Sequence, residues 1–411
     1  MAHGTERTIA QSTAAERTRE LRTRADLLGL ESLFSAEELA FRDEVRGFVD
    51  EAIRPHVADW FEHAEFPREL VREMGERGYL GIHLDSPGCP GRSAVEYGLA
   101  SLEFESADAG IRTFVSVQGS LAMGAIHHWG SEEQKAEHLP AMARGEVIGC
   151  FGLTEPNAGS DPSSMETVAR RDGGDWVISG RKRWIGLASI AQLAVIWART
   201  EDGVRGFVVP TDTPGFTATV IEPKFAMRAS IQCEIELAEV RVPDSARLPG
   251  AEGLSGPFTC LNDARYGIMW GVLGAARDSY ETACSYALDR EQFGAPIASF
   301  QLTQRKLVDM ALDIQRGLLV AERTGRLKDA GELDPVQISV GKLANTRDAI
   351  AICREARTIL GGNGVSAEYS PQRHANNLEA VRTYEGTDEV HTLILGAHLT
   401  GIPAFNPPRE G

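Results

Sequence analysis

No run of apolar residues in the 411-residue chain approaches the roughly 18 that a membrane-crossing helix needs, so no membrane insertion is expected. Basic residues are outnumbered, with 42 Lys and Arg against 59 Asp and Glu and a formal net charge of −17. That balance argues against a nucleic-acid groove, which needs clustered cations, but leaves room for a local arginine cluster holding a phosphorylated ligand. Cysteine is sparse: Cys89, Cys150, Cys233, Cys260, Cys284 and Cys353 make no CxxC pair, and the ten histidines make no HExxH. A zinc site and a disulfide framework are therefore not expected, and scattered thiols in a reducing cytoplasm are. The first residues lack an apolar stretch of signal-peptide type. Arg7, Arg17, Arg19 and Arg22 alternate with Glu6, Glu16 and Glu20, a poor transit peptide, so a cytoplasmic location is expected. No P-loop and no G-x-S-x-G occur. Gly362 to Ala367 matches G-x-G-x-x-A in letters, but a helix-like stretch precedes it where a dinucleotide site needs a strand. A glycine-rich helix terminus explains it better.

What is present is an ordinary globular composition, 42% hydrophobic and 25% charged, which excludes a disordered chain. The length suggests two or three domains. Residues 1–28 are polar and read as a flexible tail. From 29 to 147 the pattern is helical: Ser35 and Glu38 form a capping box, a helix starts near Pro67, and others cover about 93–106, 111–128 and 131–144. From 148 to 250 the texture changes to short β-rich runs separated by turn residues. Ile231 to Val242 alternates apolar and polar, as a half-buried antiparallel strand does. Strands without interleaved helices predict a small antiparallel barrel or sandwich. From 251 to 411 helical periodicity returns in three long segments and two short ones, predicting a bundle. The expected class is α+β, mainly α, in the order helical domain, β domain, helical bundle.

Several residues bear chemistry. Arg112 sits in an apolar stretch, AGIRTFVSV, where a guanidinium needs an anion or a route to water. Glu105, seven residues earlier, would share its face if one helix ran through, but Gly110 interrupts. An internal ion pair and a ligand anion both fit. Thr154 to Asp161 is a turn-rich loop whose backbone N–H groups suit a ligand rich in carbonyls or phosphates. Trp184 is a large flat surface at the end of RKRWI. Arg290 closes a long helix, where its charge complements the macrodipole. Glu385 stands before Gly386, which permits close backbone approach, and Thr387 can cap the last helix with Asp388 and Glu389 in its first turn.

Taken in order, LTEPNAGSDPSSMET, RKRWI, ALDREQFG, the Gln301 segment, ILGGNG and TYEGT resemble the acyl-CoA dehydrogenase family over about residues 33–406. The resemblance implies a helical domain, a β domain and a four-helix bundle, assembled as a homotetramer or dimer around FAD. It implies that Phe151, Leu153, Thr154, Gly159, Ser160, Trp184, Ile185 and Gly186 line the flavin. Arg290, Phe293, Gln301, Leu360, Gly361 and Gly362 would contact FAD across a subunit interface, and Thr387 and Glu389 would contact it near the base. Ser160 with Phe258, Leu261, Asn262 and Arg265 would meet the CoA part, and Gly386 and Thr113 the acyl part.

Within the family, GIRTFVSVQGSL, LNDARYGIMWGVLGAARD and NLEAVRTYEGT look like the glutaryl-CoA dehydrogenase type. That likeness implies that Arg112 holds a distal carboxylate, that Glu105 and Tyr384 accompany decarboxylation, and that Glu385 is the base. Glutaryl-CoA would give crotonyl-CoA and CO2, with electrons passing to an electron-transfer flavoprotein. Three positions depart from the pattern. Gly186 and Leu187 stand where the family has Thr-Asn after Trp-Ile, and some acyl-CoA oxidases that resemble this chain also carry Trp-Ile-Gly; Thr113 replaces a serine; and Ala397 replaces an arginine. An oxidase, or a dehydrogenase of another dicarboxylic or short-chain acyl thioester, is the alternative.

Overall fold

A computed structural model describes residues 14–404. Helices come first: α1 Ala14–Ala25, α2 Ala36–Phe48, α3 Val57–His63, α4 Glu69–Glu76, α5 Ala94–Ala107, α6 Ala109–Ser116, α7 Gly124–Trp129 and α8 Glu132–Ala143. Ser35, Ser93 and Ser131 start α2, α5 and α8, each in a reciprocal capping box with the Glu or Gln three residues on. The expected run 111–128 is not one regular helix, because π-turns at Val117–Met123 join α6 to α7.

Strands β1 Gly149–Gly152, β2 Val168–Asp172, β3 Asp175–Gly186, β4 Leu193–Thr200, β5 Gly203–Pro210, β6 Phe216–Val220 and β7 Gln232–Pro243 make one sheet. The expectation of an antiparallel domain holds for β2–β3, β3–β7, β4–β5 and β6–β7. It needs one correction: β1 runs parallel to β4, and β2 adds a single parallel bridge to β4. The register of β3 on β7 slips between Lys182 and Ile185, and Trp184 inside that bulge takes a left-handed backbone, φ 64°.

The bundle follows as α9 Ser255–Asp289, a hairpin of β8 Glu291–Gln292 with β9 Ala295–Pro296, α10 Gln301–Asp329, α11 Pro335–Ile359, α12 Ser370–Val381 and α13 Asp388–Thr400. One apolar core runs through the N-terminal helices, the sheet and the first half of α9. A second fills the bundle. Helix α5 is buried along its whole length, pressed on α9, and a side chain at Gly274 would strike the Leu102 carbonyl at 1.9 Å.

The expected flexible tail is corrected from residue 14 onward. Helix α1 lies on α9 with Leu21 buried and Arg22 in a two-point pair with Glu281, at 2.7 and 3.0 Å. Residues 1–13 of that tail, and 405–411 of the C-terminal segment, lie outside the described residues. Among the described residues no helix is long and apolar enough to cross a membrane, and all six cysteines are unpaired.

Candidate active site

Asp108 ends α5 with extended backbone and caps α6 by accepting from the Gly110 N–H at 2.7 Å. So Glu105 and Arg112 stand on two helices, not one. They still meet: Arg112 Nε donates to Glu105 Oε2 at 2.6 Å, with both side chains fully buried. The pair fits because α9 offers Gly271, where an added Cβ would lie 2.3 Å from Glu105 Oε2. Arg112 Nη2 donates to the Tyr384 hydroxyl at 2.5 Å, and Thr113 Oγ1 shares that hydroxyl at 3.1 Å. Both readings of Arg112 therefore have support. It has an internal carboxylate, yet Arg112 Nη1, Glu105 Oε1 and Ser116 Oγ are buried without a partner. Buried polar atoms are nearly always satisfied, so a cluster of orphans marks where a ligand's polar groups fit.

Tyr384, Glu385 and Gly386 link α12 to α13. Glu385 is left-handed at φ 54°, Gly386 at φ 94°. The backbone of this turn is gripped: Arg265 Nε donates to the Glu385 carbonyl at 2.7 Å, and Lys342 Nζ to the carbonyls of Tyr384 and Gly386 at 3.0 and 2.6 Å. The Glu385 carboxylate is not gripped, and its Oε2 is buried without a partner. Burial raises the Glu385 pKa against the opposing pull of Arg112, Arg265 and Lys342. Burial likewise raises Glu105 despite Arg112, and pushes Tyr384 up to about 12. A carboxylate with an elevated pKa and a free oxygen is suited to taking a proton.

Three further candidates sit in the first turns of α9, where Phe258, Leu261 and Asn262 are half-buried and Asn262 Oδ1 accepts from Arg265 at 3.1 Å. Thr387 caps α13, accepting from the Val390 N–H at 3.2 Å, with Glu389 exposed in the first turn. From the sheet, Gly186 faces the same region: a Cβ there would lie 3.4 Å from Val117, the residue after α6. Trp184 is 53% exposed. Below it, buried Lys182 bonds the Leu153 carbonyl at 3.1 Å and Glu155 at 2.7 Å, tying the bulge to the Thr154–Ser160 loop. Gly159 and Ser160 are exposed on that loop, while Phe151, Leu153 and Ile185 are buried.

A second group is remote. Arg290, Phe293, Gln301, Gly361 and Gly362 are exposed, and Leu360 has a buried side chain. Asn363 donates to the Tyr286 hydroxyl at 3.0 Å, so the glycine-rich turn lies at the far end of α9. Tyr286 follows Arg265 by 21 residues on that helix, about 30 Å at ~1.5 Å per residue. The structure does not bring this group to Glu385 within one chain. Residues that the sequence reading missed are Lys342, His391 and Ser116, while Lys182 and Glu155 fall inside its motifs without a role of their own. No local pattern singles out Lys342, because the buried residues of α11 also include Ser339, Asn345 and Thr346. Among the described residues no group of three or more His, Cys, Asp or Glu is placed to hold a metal ion.

Three family models match in series: acyl-CoA dehydrogenase N-terminal domain at 35–146, middle domain at 150–240 and C-terminal domain at 251–400. The chain belongs to the acyl-CoA dehydrogenase family and is a flavin-dependent enzyme with FAD as cofactor. It is 35% identical over 372 residues to the probable acyl-CoA dehydrogenase YngJ of Bacillus subtilis strain 168, covering 88% of this chain and 98% of that one. It is 59% identical to a crystal structure of glutaryl-CoA dehydrogenase from Mycobacterium smegmatis, TM-score 0.92, covering 93% of this chain and 99% of that one. A glutaryl-CoA dehydrogenase of the same organism in complex with FADH2 is 54% identical with the same TM-score and coverage. The residues here fit FAD: an exposed indole on a left-handed bulge, tied through Lys182 to a loop with exposed Gly159 and Ser160.

Proposed function

We propose that the chain oxidatively decarboxylates glutaryl-CoA to crotonyl-CoA and CO2. The observation that carries this reading is Arg112: fully buried, with Nε on Glu105, Nη2 on Tyr384 and Nη1 free. A monocarboxylic acyl chain would leave that donor unpaired, at a cost of about 1–3 kcal/mol or more for a charged group. A terminal carboxylate satisfies it, and Thr113 adds a hydroxyl beside it.

Glu385 takes the α-proton of the thioester, its basicity raised by burial. FAD, when bound along Trp184, Gly186 and the Thr154–Ser160 loop, supplies the acceptor for the β-hydride. Arg112 keeps the distal carboxylate ionised and oriented. Once the acyl chain is conjugated with the thioester, the bond to that carboxylate breaks and its electron pair moves toward the thioester. The proton held by Glu385 is then available to the γ-carbon. Electrons leave the enzyme to an electron-transfer flavoprotein.

The assembly is a homo-oligomer, a homotetramer on this reading. The remote group of Arg290, Phe293, Gln301 and Gly361–Gly362 serves the cofactor of a second copy, about 30 Å being too far to serve its own base. Phe293, 97% exposed, and Leu302, 73% exposed, fit such a contact. Unpaired cysteines accord with a cytoplasmic location.

The test is anaerobic mixing of the FAD-loaded protein with glutaryl-CoA. Flavin bleaching together with crotonyl-CoA by mass is expected. Bleaching by butyryl-CoA but not by glutaryl-CoA would keep the class and discard the substrate.

A further inference from the structure

The turn that carries Glu385 is held by its backbone from three directions. Arg265 comes from α9, Lys342 from α11 and His391 from α13. Their partners are three successive carbonyls, those of Tyr384, Glu385 and Gly386. His391 Nε2 lies 3.3 Å from the Glu385 carbonyl, and its Nδ1 is 3.0 Å from Ser339 Oγ on α11. Gly386 is needed on two counts: its φ is 94°, and a Cβ there would come within 2.7 Å of His391 Nε2.

Lys342 is the unusual member. It is 0% exposed on the buried face of α11, next to Leu343. Among the described residues it has no carboxylate within ion-pair distance, and its two hydrogen bonds both go to carbonyls of this turn. Burying an ammonium with no direct ion pair is expensive even with the Glu385 and Asp388 carboxylates in range, so a role confined to packing would be served better by an apolar side chain. A left-handed Glu is also strained relative to the ordinary regions, and such strain persists only where the surroundings over-determine it.

We propose that Lys342 is a positioning residue for the base: its ammonium clamps the carbonyls on either side of Glu385, so that the left-handed turn is held and the carboxylate stays free. The proposal rests on the reading of Glu385 as the base. The ammonium has a second effect, through charge. The groups facing the Glu385 carboxylate are Arg112 from α6, Arg265 from α9, Lys342 from α11 and Tyr384 beside it, with the Tyr97 phenol of α5 and neutral His391 of α13 near by. Removing one of three cations leaves the carboxylate easier to protonate, so the acid limb of proton abstraction moves to higher pH.

The experiment uses the FAD-loaded full-length chain and follows exchange of the substrate α-proton with deuterated solvent across pH, together with kcat and KM. Lys342→Met is expected to lower exchange and kcat per bound FAD by about 10²-fold, the scale of a displaced reacting group. KM should change little, and the acid limb should shift upward. Lys342→Arg, which keeps a cation, should recover the position of the acid limb. A Lys342→Met enzyme with wild-type exchange per FAD and an unmoved acid limb would overturn the proposal, even if it melts earlier. If the Met variant does not hold FAD, Lys342→Gln keeps a neutral donor and is judged by the same two outcomes. Glu385→Gln is measured alongside: exchange surviving there would retire the base assignment itself, a result separate from the fate of Lys342.

Discussion

Glu103 and Glu105 stand two residues apart on α5, both with 0% exposure, and they face opposite ways. Each meets arginine. Glu103 is saturated: Arg46 reaches its two oxygens at 2.8 and 3.3 Å, and Arg277 reaches them at 2.8 and 2.7 Å. Despite burial, those two guanidiniums hold its carboxyl well below the usual range. Glu105 has one arginine on one oxygen and nothing on the other, and burial wins, raising its pKa. Burial and an ion pair are common to both, and so is a lone guanidinium N–H, at Arg277 Nε as at Arg112 Nη1, so none of these marks a functional site. A buried carboxylate oxygen left without a partner does. Glu103 staples α2 to α9, and its atoms have no capacity left; the Glu105–Arg112 pair keeps free valence on both partners, which a ligand can use.

The comparison breaks most sharply on stability. Glu103→Ala takes the shared counter-ion from two half-buried guanidiniums, which keep only Asp43 and Glu281, and should cost about 3 kcal/mol. Thermal and urea denaturation of the FAD-loaded protein would check it; a loss below ~1 kcal/mol would mean that Glu103 is not the staple its geometry describes. Arg112→Met should show the reverse pattern. Glu105 already has a raised pKa and can become neutral, so the stability loss should be smaller than for Glu103→Ala. Activity should suffer instead: kcat/KM for glutaryl-CoA is expected to fall by about 10²–10³-fold, from ~2–5 kcal/mol for a lost buried charge pair. Butyryl-CoA, with no distal carboxylate, should be far less affected. Equal losses on both substrates would remove the carboxylate anchor.

How much of this was legible before any coordinates? Arg112 was, because a guanidinium in AGIRTFVSV needs an anion wherever the chain goes. Glu105 was legible only on condition that one helix ran through to Arg112; the helix breaks at Asp108, and the pair forms across the break. Glu103 was not legible, although it lies in the same helix. Its partners are 57 and 174 residues away, and no local pattern names them. Lys342 and His391 escaped for the same reason: what they hold is a backbone turn from another part of the chain. Most helical segments follow from capping boxes and periodicity, but α3 is too short to show a period, the π-turns in 111–128 leave no sequence mark, and α1, with one buried leucine and many charges, has almost no apolar stripe. The left-handed backbone of Trp184 follows from a register slip between β3 and β7, which depends on pairing with a strand about 50 residues on.

A third, smaller effect lies in pH. Glu103 has a folded pKa below its unfolded value near 4.3, so its stabilisation is fully present above about pH 4.3 and is lost as pH falls toward the folded pKa. Glu105 has the opposite sign: its folded pKa is raised, and its contribution is present below about pH 4.3 and lost as pH rises through the folded value. The stability gap between wild type and Glu103→Gln should therefore narrow as pH is lowered from 7 to below 4. A gap that is constant with pH would show that Glu103 does not titrate between the two states.

The smallest expected effect on stability is at Gly186, a position neither saturated nor orphaned but merely empty. Its φ is not in the left-handed region, and an added Cβ would meet Val117 methyls at 3.4 and 3.8 Å, ordinary contact distances. Nothing in the fold demands glycine there. Gly186→Thr should thus alter the melting temperature by no more than a change of about 0.5 kcal/mol implies. Where the stability effect is that small, a change in chemistry can be read directly. The resemblance implies a threonine hydroxyl at this place, which on the proposed reading would reach the flavin, and glycine in some oxidases. With glutaryl-CoA in air, peroxide formed per turnover should be lower in Gly186→Thr than in wild type. Equal peroxide yields would mean that the missing side chain does not govern access of oxygen, and would remove the one sequence feature that favours an oxidase over a dehydrogenase.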